Sequence, residues 1–318
     1  MADPCRLLLD VDTGIDDAMA IVFALSRETI RVEAITTTYG NIDVASATRN
    51  TLQLLEAAGR SDIPVAAGAM RSLTRPFDPH GSRIHGENGL GGVDLPLPKT
   101  KALDIWGPDL IIERVRAEPG ALTLVPVGPM TNVAQALMKA PDIAEKLRGI
   151  VVMGSTIAHP GVPGIPSPMA DANFFNDPEA ARIVLQSGAK VTLVGMDVTM
   201  KTRLTAAMMD DIGARGGPAA RIAMQAGRFY LSAYQAQYPE IDYCALHDPL
   251  AVAVAEDPSL VTLEPMQVDV ECTGELTRGQ VIPDRRRTGT TVPNADVALA
   301  VDAPRFEALF VEAMLAGR

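Results

Sequence analysis

Four aspartates, Asp10, Asp12, Asp16 and Asp17, fall within eight residues of the segment RLLLDVDTGIDDAMA at 6–20. Carboxylates gathered in one small volume repel one another, so such a cluster is tolerable where it opens to water or where a cation neutralises it. Oxygen-only donors favour a hard cation, Ca²⁺ or Mg²⁺. A single aspartate at a strand end or helix start reads as a cap or dipole partner, contributing about 0.5–2 kcal/mol. Four of them straight after an apolar run point instead to a site. Two further patches hold reactive residue types. In ADANFFND (170–177), Asp171 and Asn173 are candidates, while Asp177 reads as a helix cap before Pro178. In His247–Asp248–Pro249 the Asp-Pro pair suits a helix start, and His247 is either a core histidine or a site group. His85 opens the glycine-rich HGENGLGG (85–92), where an ordered core role is not expected; His80 and His159 read as solvated loop residues. Tyr230, Tyr234 and Tyr238 recur every four residues and so share one helix face.

These groups need elements to position them. Leu7–Leu8–Leu9 is a short apolar run that reads as a buried strand. Thr13–Gly14 supplies a turn, and Asp16 falls where a helix cap is expected, before the apolar run 18–22. Strand and helix patterns then alternate: strands at 31–39, 64–67, 121–127, 149–153 and 190–195, helices at 43–58, 108–118, 131–139 and from 177. Residues 68–100 read as loop, 203–238 and 247–255 as largely helical, 260–301 as strand-like alternation and 304–316 as a closing helix. Repeated βα alternation predicts an α/β fold, an open and mostly parallel sheet with helices on both faces, with extra helices and short strands in the C-terminal third. Ligands in such folds bind beyond the carboxyl ends of the strands. Here those ends carry residues 12–17, 39–41, 127–129, 153–154 and 195–197, and this edge is the predicted site.

The chain has 318 residues, 47% hydrophobic, enough for a large core, and no linker or repeat divides 1–318 into parts. A net charge of −11 repels phosphate backbones and excludes nucleic acid and anionic membranes as expected partners. Three widely spaced cysteines, Cys5, Cys244 and Cys272, suit neither a disulfide framework nor a Cys-x-x-Cys metal site, which fits a reducing cytoplasm. The first residues do not form a signal peptide, and no run approaches the roughly 18 apolar residues of a membrane span.

Taken together, DVDTGIDDA (10–18), TTYGN (37–41), HGENGLGG (85–92), VGPMTN (127–132), VVMG (151–154), ADANFFNDPEAA (170–181) and HDP (247–249) resemble the blocks of the inosine-uridine-preferring nucleoside hydrolases, in that family's order. ELTRG (275–279) and VDAPRF (301–306) are similar to its C-terminal end. The resemblance implies a Rossmann-like nucleoside hydrolase fold and Ca²⁺-dependent hydrolysis of the N-glycosidic bond of ribonucleosides to ribose and free base, in nucleoside catabolism and salvage. Carried over by motif, Asp12 would ligate calcium and act as general base on a calcium-bound water. Asp17, Asp248 and the Val127 carbonyl would complete the metal site. Asp16, Asn41, Asp171 and Asn173 would hold the sugar, and Met153 would line its pocket. His247 would act on the leaving base, with His85, Tyr230 and Tyr234 covering it, and Asp10 would brace the turn. A small-molecule ribonucleoside is the implied partner, and a homodimer or homotetramer the implied assembly.

The residue types suit that chemistry, because carboxylates stabilise an oxocarbenium-like sugar and a nearby dication keeps Asp12 ionised. Three positions depart from the pattern: Ile165 in place of an Asn, Asp171 in place of a Glu, and Ser155 in place of the second Gly of Met-Gly-Gly. His247 in place of a Trp resembles the branch that activates the base by acid catalysis. Two other readings stay open at this point. One is a haloacid-dehalogenase-like phosphatase, which also carries Asp-x-Asp after a buried strand and would enlist Asp197, Thr199 and Lys201. The other is a calcium-bound nucleoside-binding protein with weak turnover.

Overall fold

The structure is a computed structural model and describes residues 3–157, 167–286 and 292–317. Its strands, in chain order, are β1 (Cys5–Val11), β2 (Ile30–Thr37), β3 (Val65–Ala67), β4 (Leu122–Pro126), β5 (Gly149–Met153), β6 (Val191–Val194), β7 (Leu204–Thr205), β8 (Tyr243–Cys244), β9 (Val261–Met266), β10 (Val268–Val270), β11 (Val281–Pro283) and β12 (Ala295–Val301). The helices are α1 (Ile15–Ser26), α2 (Val44–Ala57), α3 (Ser82–His85), α4 (Gly107–Ala117), α5 (Thr131–Lys139), α6 (Ile143–Lys146), α7 (Ala172–Asn176), α8 (Pro178–Leu185), α9 (Met196–Thr199), α10 (Ala206–Arg215), α11 (Pro218–Gln237), α12 (His247–Glu256) and α13 (Ala303–Ala316).

Eight strands form the central sheet in the order β3-β2-β1-β4-β5-β6-β12-β9. Every neighbouring pair is parallel except the edge pair β12–β9. Successive side chains of a strand point to opposite faces. Leu7 and Leu9 accordingly join the apolar core under α1, α11, α12 and α13, while Leu8 joins a second core with residues of α4, α5 and α8. A strand buried on both faces must be apolar throughout, which is why β1 reads as an unbroken run. Strand order reverses beside β1: the chain adds β2 and β3 on one side, then crosses to place β4 on the other. The crevice beyond the carboxyl ends of β1 and β4 is therefore the topological switch point, where ligands bind in sheets of this kind.

The predicted strands and helices are present, with ends displaced by a residue or two. Three differences matter. The segment 68–100 is not all loop, because α3 forms within it and carries His85. The stretch from 203 begins with β7, which pairs antiparallel with β8, before α10 and α11. Helix α1 is capped by Gly14 rather than Asp16; Asp17, at its third position, accepts the Gly14 N–H at 2.9 Å. No helix among the described residues is long and apolar enough to cross a membrane. Residues His159 and Ile165, singled out in the sequence, lie outside the described residues.

Candidate active site

Two helix N-termini meet at the switch point. Asp16 and Asp17 lie in the first turn of α1, and Asp248 in the first turn of α12. Helices α1 and α12 pack directly on one another, which brings carboxylates more than 230 positions apart in the chain into one group. Carboxylate oxygens of Asp16, Asp17 and Asp248 all lie within 4.8 Å of one another, and all three residues are buried. The exposed N–H groups of both helix ends favour this negative charge but do not cancel it. The triplet includes Asp16, which the sequence assigned to the sugar.

Asp12 adjoins the triplet. Its backbone N–H donates to Asp17 Oδ1 at 3.0 Å, and its Oδ2 accepts the Asn41 N–H at 2.7 Å. Its Oδ1 is buried without a hydrogen-bond partner among the described residues, as is Asp16 Oδ1, whose neighbour is His85 Nδ1 at 3.7 Å. Two glycines make the room: a Cβ at Gly40 would stand 2.0 Å from Asp12 Oδ2, and one at Gly128 2.8 Å from Asp12 Oδ1. The Asn41 amide donates to Asp17 Oδ2 at 3.0 Å. Asp10 points the other way, taking Thr36 Oγ1 at 2.6 Å and Asn132 Nδ2 at 2.8 Å, and so ties β1 to β2 and α5.

Burial dominates the electrostatics. It pushes Asp16 and Asp17 up to about 6, with the charge of Asp16 adding to the rise at Asp17. It pushes Asp12 and Asp248 well above the ordinary carboxylate range, reinforced by Asp17 at Asp12 and by Asp16 and Asp17 at Asp248. Orphaned, buried, mutually repelling carboxylate oxygens are the donor set a hard divalent cation takes. The Val127 carbonyl, just beyond β4, accepts Asn173 Nδ2 at 2.7 Å. The same amide nitrogen reaches the Met153 carbonyl at 3.1 Å, so Asn173 bridges the ends of β4 and β5.

Above the acids opens a pocket that is concave and largely apolar, with a few convergent polar groups, the character of a small-molecule site. Asp16, Asn41, Val127, Met153, Asn173 and Asp248 line its floor, and His85, Tyr230, Tyr234 and His247 its aromatic side. His85 is buried, contrary to the expectation for its glycine-rich stretch. Its Nδ1 accepts the Ile15 N–H at 3.1 Å, so the neutral ring carries its proton on Nε2, and burial lowers its pKa to about 4. His247, also buried, is lowered to about 3 by burial and by His85. Its Nδ1 lies 2.6 Å from Thr199 Oγ1, and its Nε2 lies 2.5 Å from the Tyr234 hydroxyl. The Tyr230 hydroxyl donates to Asp16 Oδ2 at 3.3 Å.

Asp171 reaches the pocket wall, but its carboxylate is already engaged. Oδ1 caps α7 through the N–H groups of Asn173 and Phe174, and Oδ2 accepts the Ser155 N–H at 2.7 Å. Ser155 holds φ at +88°, the left-handed region that glycine takes without strain. His80, read in sequence as a solvated loop residue, lines the pocket, its ring edge-on to Phe175. Met196 lines the pocket from the strand-end stretch 195–197 of the predicted edge. Met200, also in the lining, was not singled out, and applying the strand-end rule a few residues further would have found it.

The sequence pattern of the family described as inosine-uridine preferring nucleoside hydrolase matches residues 7–308. The inosine-uridine preferring nucleoside hydrolase of Leishmania major is 36% identical, over 98% of each chain. The pyrimidine-specific ribonucleoside hydrolase RihA of Citrobacter koseri is 36% identical, over 96% of each. Among solved structures, the purine-preferring ribonucleoside hydrolase from Gardnerella vaginalis superposes with a TM-score of 0.92 at 38% identity, covering 98% of this chain and 99% of its own.

Proposed function

The chain belongs to the inosine-uridine preferring nucleoside hydrolase family, and on that premise we propose that it cleaves ribonucleosides to ribose and free base with Ca²⁺ as cofactor and Asp12 as general base. The observation that carries this reading is the convergence of buried carboxylates on one wall of a pocket whose other wall is aromatic. Asp12, Asp17, Asp248 and the Val127 carbonyl would hold the ion, with Asp16 close enough to join them. When bound, it offsets the carboxylates' repulsion, keeps them ionised, and supplies a Lewis-acidic site for water and sugar hydroxyls.

The protein's own groups divide the work. Asp16, Asn41 and Asn173 orient the ribose over the acids, with Met153 packed against the ring. Ionised Asp12 takes a proton from the water that attacks C1′, a contribution of about 10²–10⁴ in rate. The surrounding carboxylates stabilise the positive charge that grows on the sugar as the C1′–N bond breaks. The electron pair of that bond passes to the base, which must be protonated on the aromatic side. There His85 offers an Nε2–H, and the Tyr234–His247 pair offers a short hydrogen-bonded donor system. Asp171 serves the sugar indirectly, by capping the helix that carries Asn173.

The relatives' names span inosine-uridine, pyrimidine and purine preferences, and an aromatic wall accepts either ring class by stacking. Location in the cytoplasm belongs to the same reading, supported by three free cysteines. So does assembly as a homodimer or homotetramer, which would cover exposed apolar side chains such as Met70, Leu97 and Trp106. The test is release of reducing sugar from inosine, uridine, cytidine and adenosine, before and after metal stripping. Cleavage of at least one of the four, abolished by chelation and restored by Ca²⁺, is the expected result. Binding without cleavage would overturn the reading.

A further inference from the structure

His247 is gripped on both ring nitrogens by hydroxyls, Thr199 Oγ1 at Nδ1 and Tyr234 at Nε2. Beside them Tyr230 packs on Tyr234, ring centroids 4.9 Å apart, and donates to Asp16 Oδ2 at 3.3 Å. The direction at His247 follows from the threonine end. A hydroxyl has one proton to give, and among the described residues Thr199 Oγ1 has no hydrogen-bond acceptor other than His247 Nδ1. Thr199 therefore donates to Nδ1, and the neutral ring carries its proton on Nε2. The Tyr234 oxygen then accepts from His247 Nε2–H, and its own proton is left to turn toward the pocket that Tyr234 lines.

We propose that Thr199 is a positioning residue for the leaving-group side of the site: its hydroxyl selects the Nε2–H tautomer of His247, which in turn leaves the Tyr234 hydroxyl proton free to face the departing base. Two observations separate this from ordinary filling of a core. The usual local outlet for a helical threonine hydroxyl is the carbonyl four residues back. Gly195 O, the carbonyl in that place, already accepts the N–H groups of Val198 and Thr199. The second is a main-chain clamp between the same partners. The Thr199 carbonyl accepts Thr202 Oγ1 at 2.7 Å, and Thr202 Oγ1 in turn accepts the N–H of Leu246, the residue before His247, at 3.0 Å. Side chain and backbone of Thr199 thus both register α9 against the start of α12. Thr199 keeps its own proton throughout. The proton that the departing base acquires comes from the Tyr234 hydroxyl, and the phenolate left behind keeps the hydrogen bond from His247 Nε2–H until water reprotonates it.

The inference rests on the nucleoside hydrolase reading, and leaving-group chemistry separates the two. A natural base needs a proton as the C1′–N bond breaks, whereas 4-nitrophenolate leaves as a stable anion. In the full chain with Ca²⁺, Thr199→Val should lower kcat on inosine and uridine about 10- to 100-fold, a part of what general acid catalysis is worth. KM should stay within about threefold, and so should kcat/KM on 4-nitrophenyl β-D-ribofuranoside. Thr199→Ser should restore nucleoside kcat to within about threefold, and Thr199→Ala, a second variant without the hydroxyl, should repeat the substrate split seen with Val. Unchanged nucleoside turnover in the Val variant, an equal loss on both substrate types, or a Ser variant as impaired as Val would overturn the assignment. A wild-type chain that cleaves neither substrate type overturns the hydrolase reading, and the role of Thr199 with it.

Discussion

Calcium affinity should rise steeply between pH 5 and pH 7 and then level off. Asp16 and Asp17 are each raised from 3.8 to about 6, mainly by burial. An acid with a raised pKa keeps its proton to higher pH, and a bound cation requires it ionised, so protons and calcium compete for the same oxygens. At pH 5, one unit below 6, roughly one in eleven of each is ionised, which costs about tenfold in affinity, or about 1.4 kcal/mol, per carboxylate. The pair costs roughly 100-fold relative to pH 8. Asp12 and Asp248 are shifted in the same direction, so this figure is a floor. A hundredfold weaker affinity removes about 2.7 kcal/mol from the stabilisation by saturating ion. For 318 residues, at about 2.1 cal/mol/K of unfolding entropy per residue, that is about 4 °C less calcium-induced rise in Tm at pH 5 than at pH 8. His85 and His247 are both lowered, so they favour the unfolded state as pH falls below 6.5 with or without the ion. Their contribution cancels in the difference between loaded and stripped protein. Isothermal titration of stripped protein at unit pH steps, in two buffers of different ionisation enthalpy, reads both affinity and proton release. An affinity that changes less than about threefold from pH 5 to pH 8, or binding without proton release, would refute the reasoning.

Asp12→Asn preserves the side chain's size but removes its capacity to take a proton; kcat should fall about 10²–10⁴-fold with KM little changed, and near-normal turnover would show that another group is the base. Gly40→Ala puts a methyl group 2.0 Å from Asp12 Oδ2 and 2.8 Å from Pro129 Cδ, at a φ of +157°. Steady-state assays should show at least about a 100-fold loss, and thermal melts a drop worth about 1–3 kcal/mol. Asp171→Ala strips three buried N–H groups of their acceptor and should cost about 2–4 kcal/mol in urea unfolding. Its KM for nucleosides should rise as Asn173 loosens, and an unchanged unfolding midpoint would refute the capping role.

What could be read from the sequence tracks how local the determinant is. The buried strand β1 shows as Leu7–Leu8–Leu9, since both faces need apolar side chains, and the acidic turn shows as residue type and spacing. The parallel sheet follows from alternation, and its carboxyl edge from the chain-reversal rule. Cap geometry was harder. Asp16 and Asp17 are adjacent acids at one helix start, and which neighbour caps depends on whether Gly14 turns its N–H toward position 17. The burial of His85 was concealed by its glycines. Those glycines let α3 pack under α11, and packing of that kind has no signature in the segment itself. His80 lacks any one-dimensional signal, because its meaning comes from Phe175, and Thr199, although it follows a strand end, gains its role only from His247, far away in the chain. Asp171 shows the converse: its motif position suggests a sugar ligand, while its three backbone partners are visible only in space.

The distance in sequence between the acids also ties the site to the fold. Asp16 and Asp17 follow the first strand, and Asp248 opens a helix more than 230 residues later; they meet only because α1 and α12 are packed together under one face of the sheet. Both helices are apolar on nearly every side, with Ile15, Met19, Ile21 and Phe23 buried on one and Leu250, Val252 and Val254 on the other. That burial holds the carboxylates together against their repulsion, and it also strips them of water, so the packing that assembles the cluster is what makes it need a counter-charge. A cation shared between these two helix ends acts as a cross-link between the N-terminal strand unit and the C-terminal third. Its removal should therefore loosen the α1–α12 contact before the rest of the sheet, seen as faster amide exchange in the first turns of those two helices than in β4 and β5. Uniform acceleration across the whole sheet would mean that the apolar packing, and not the charge, holds the two helices together.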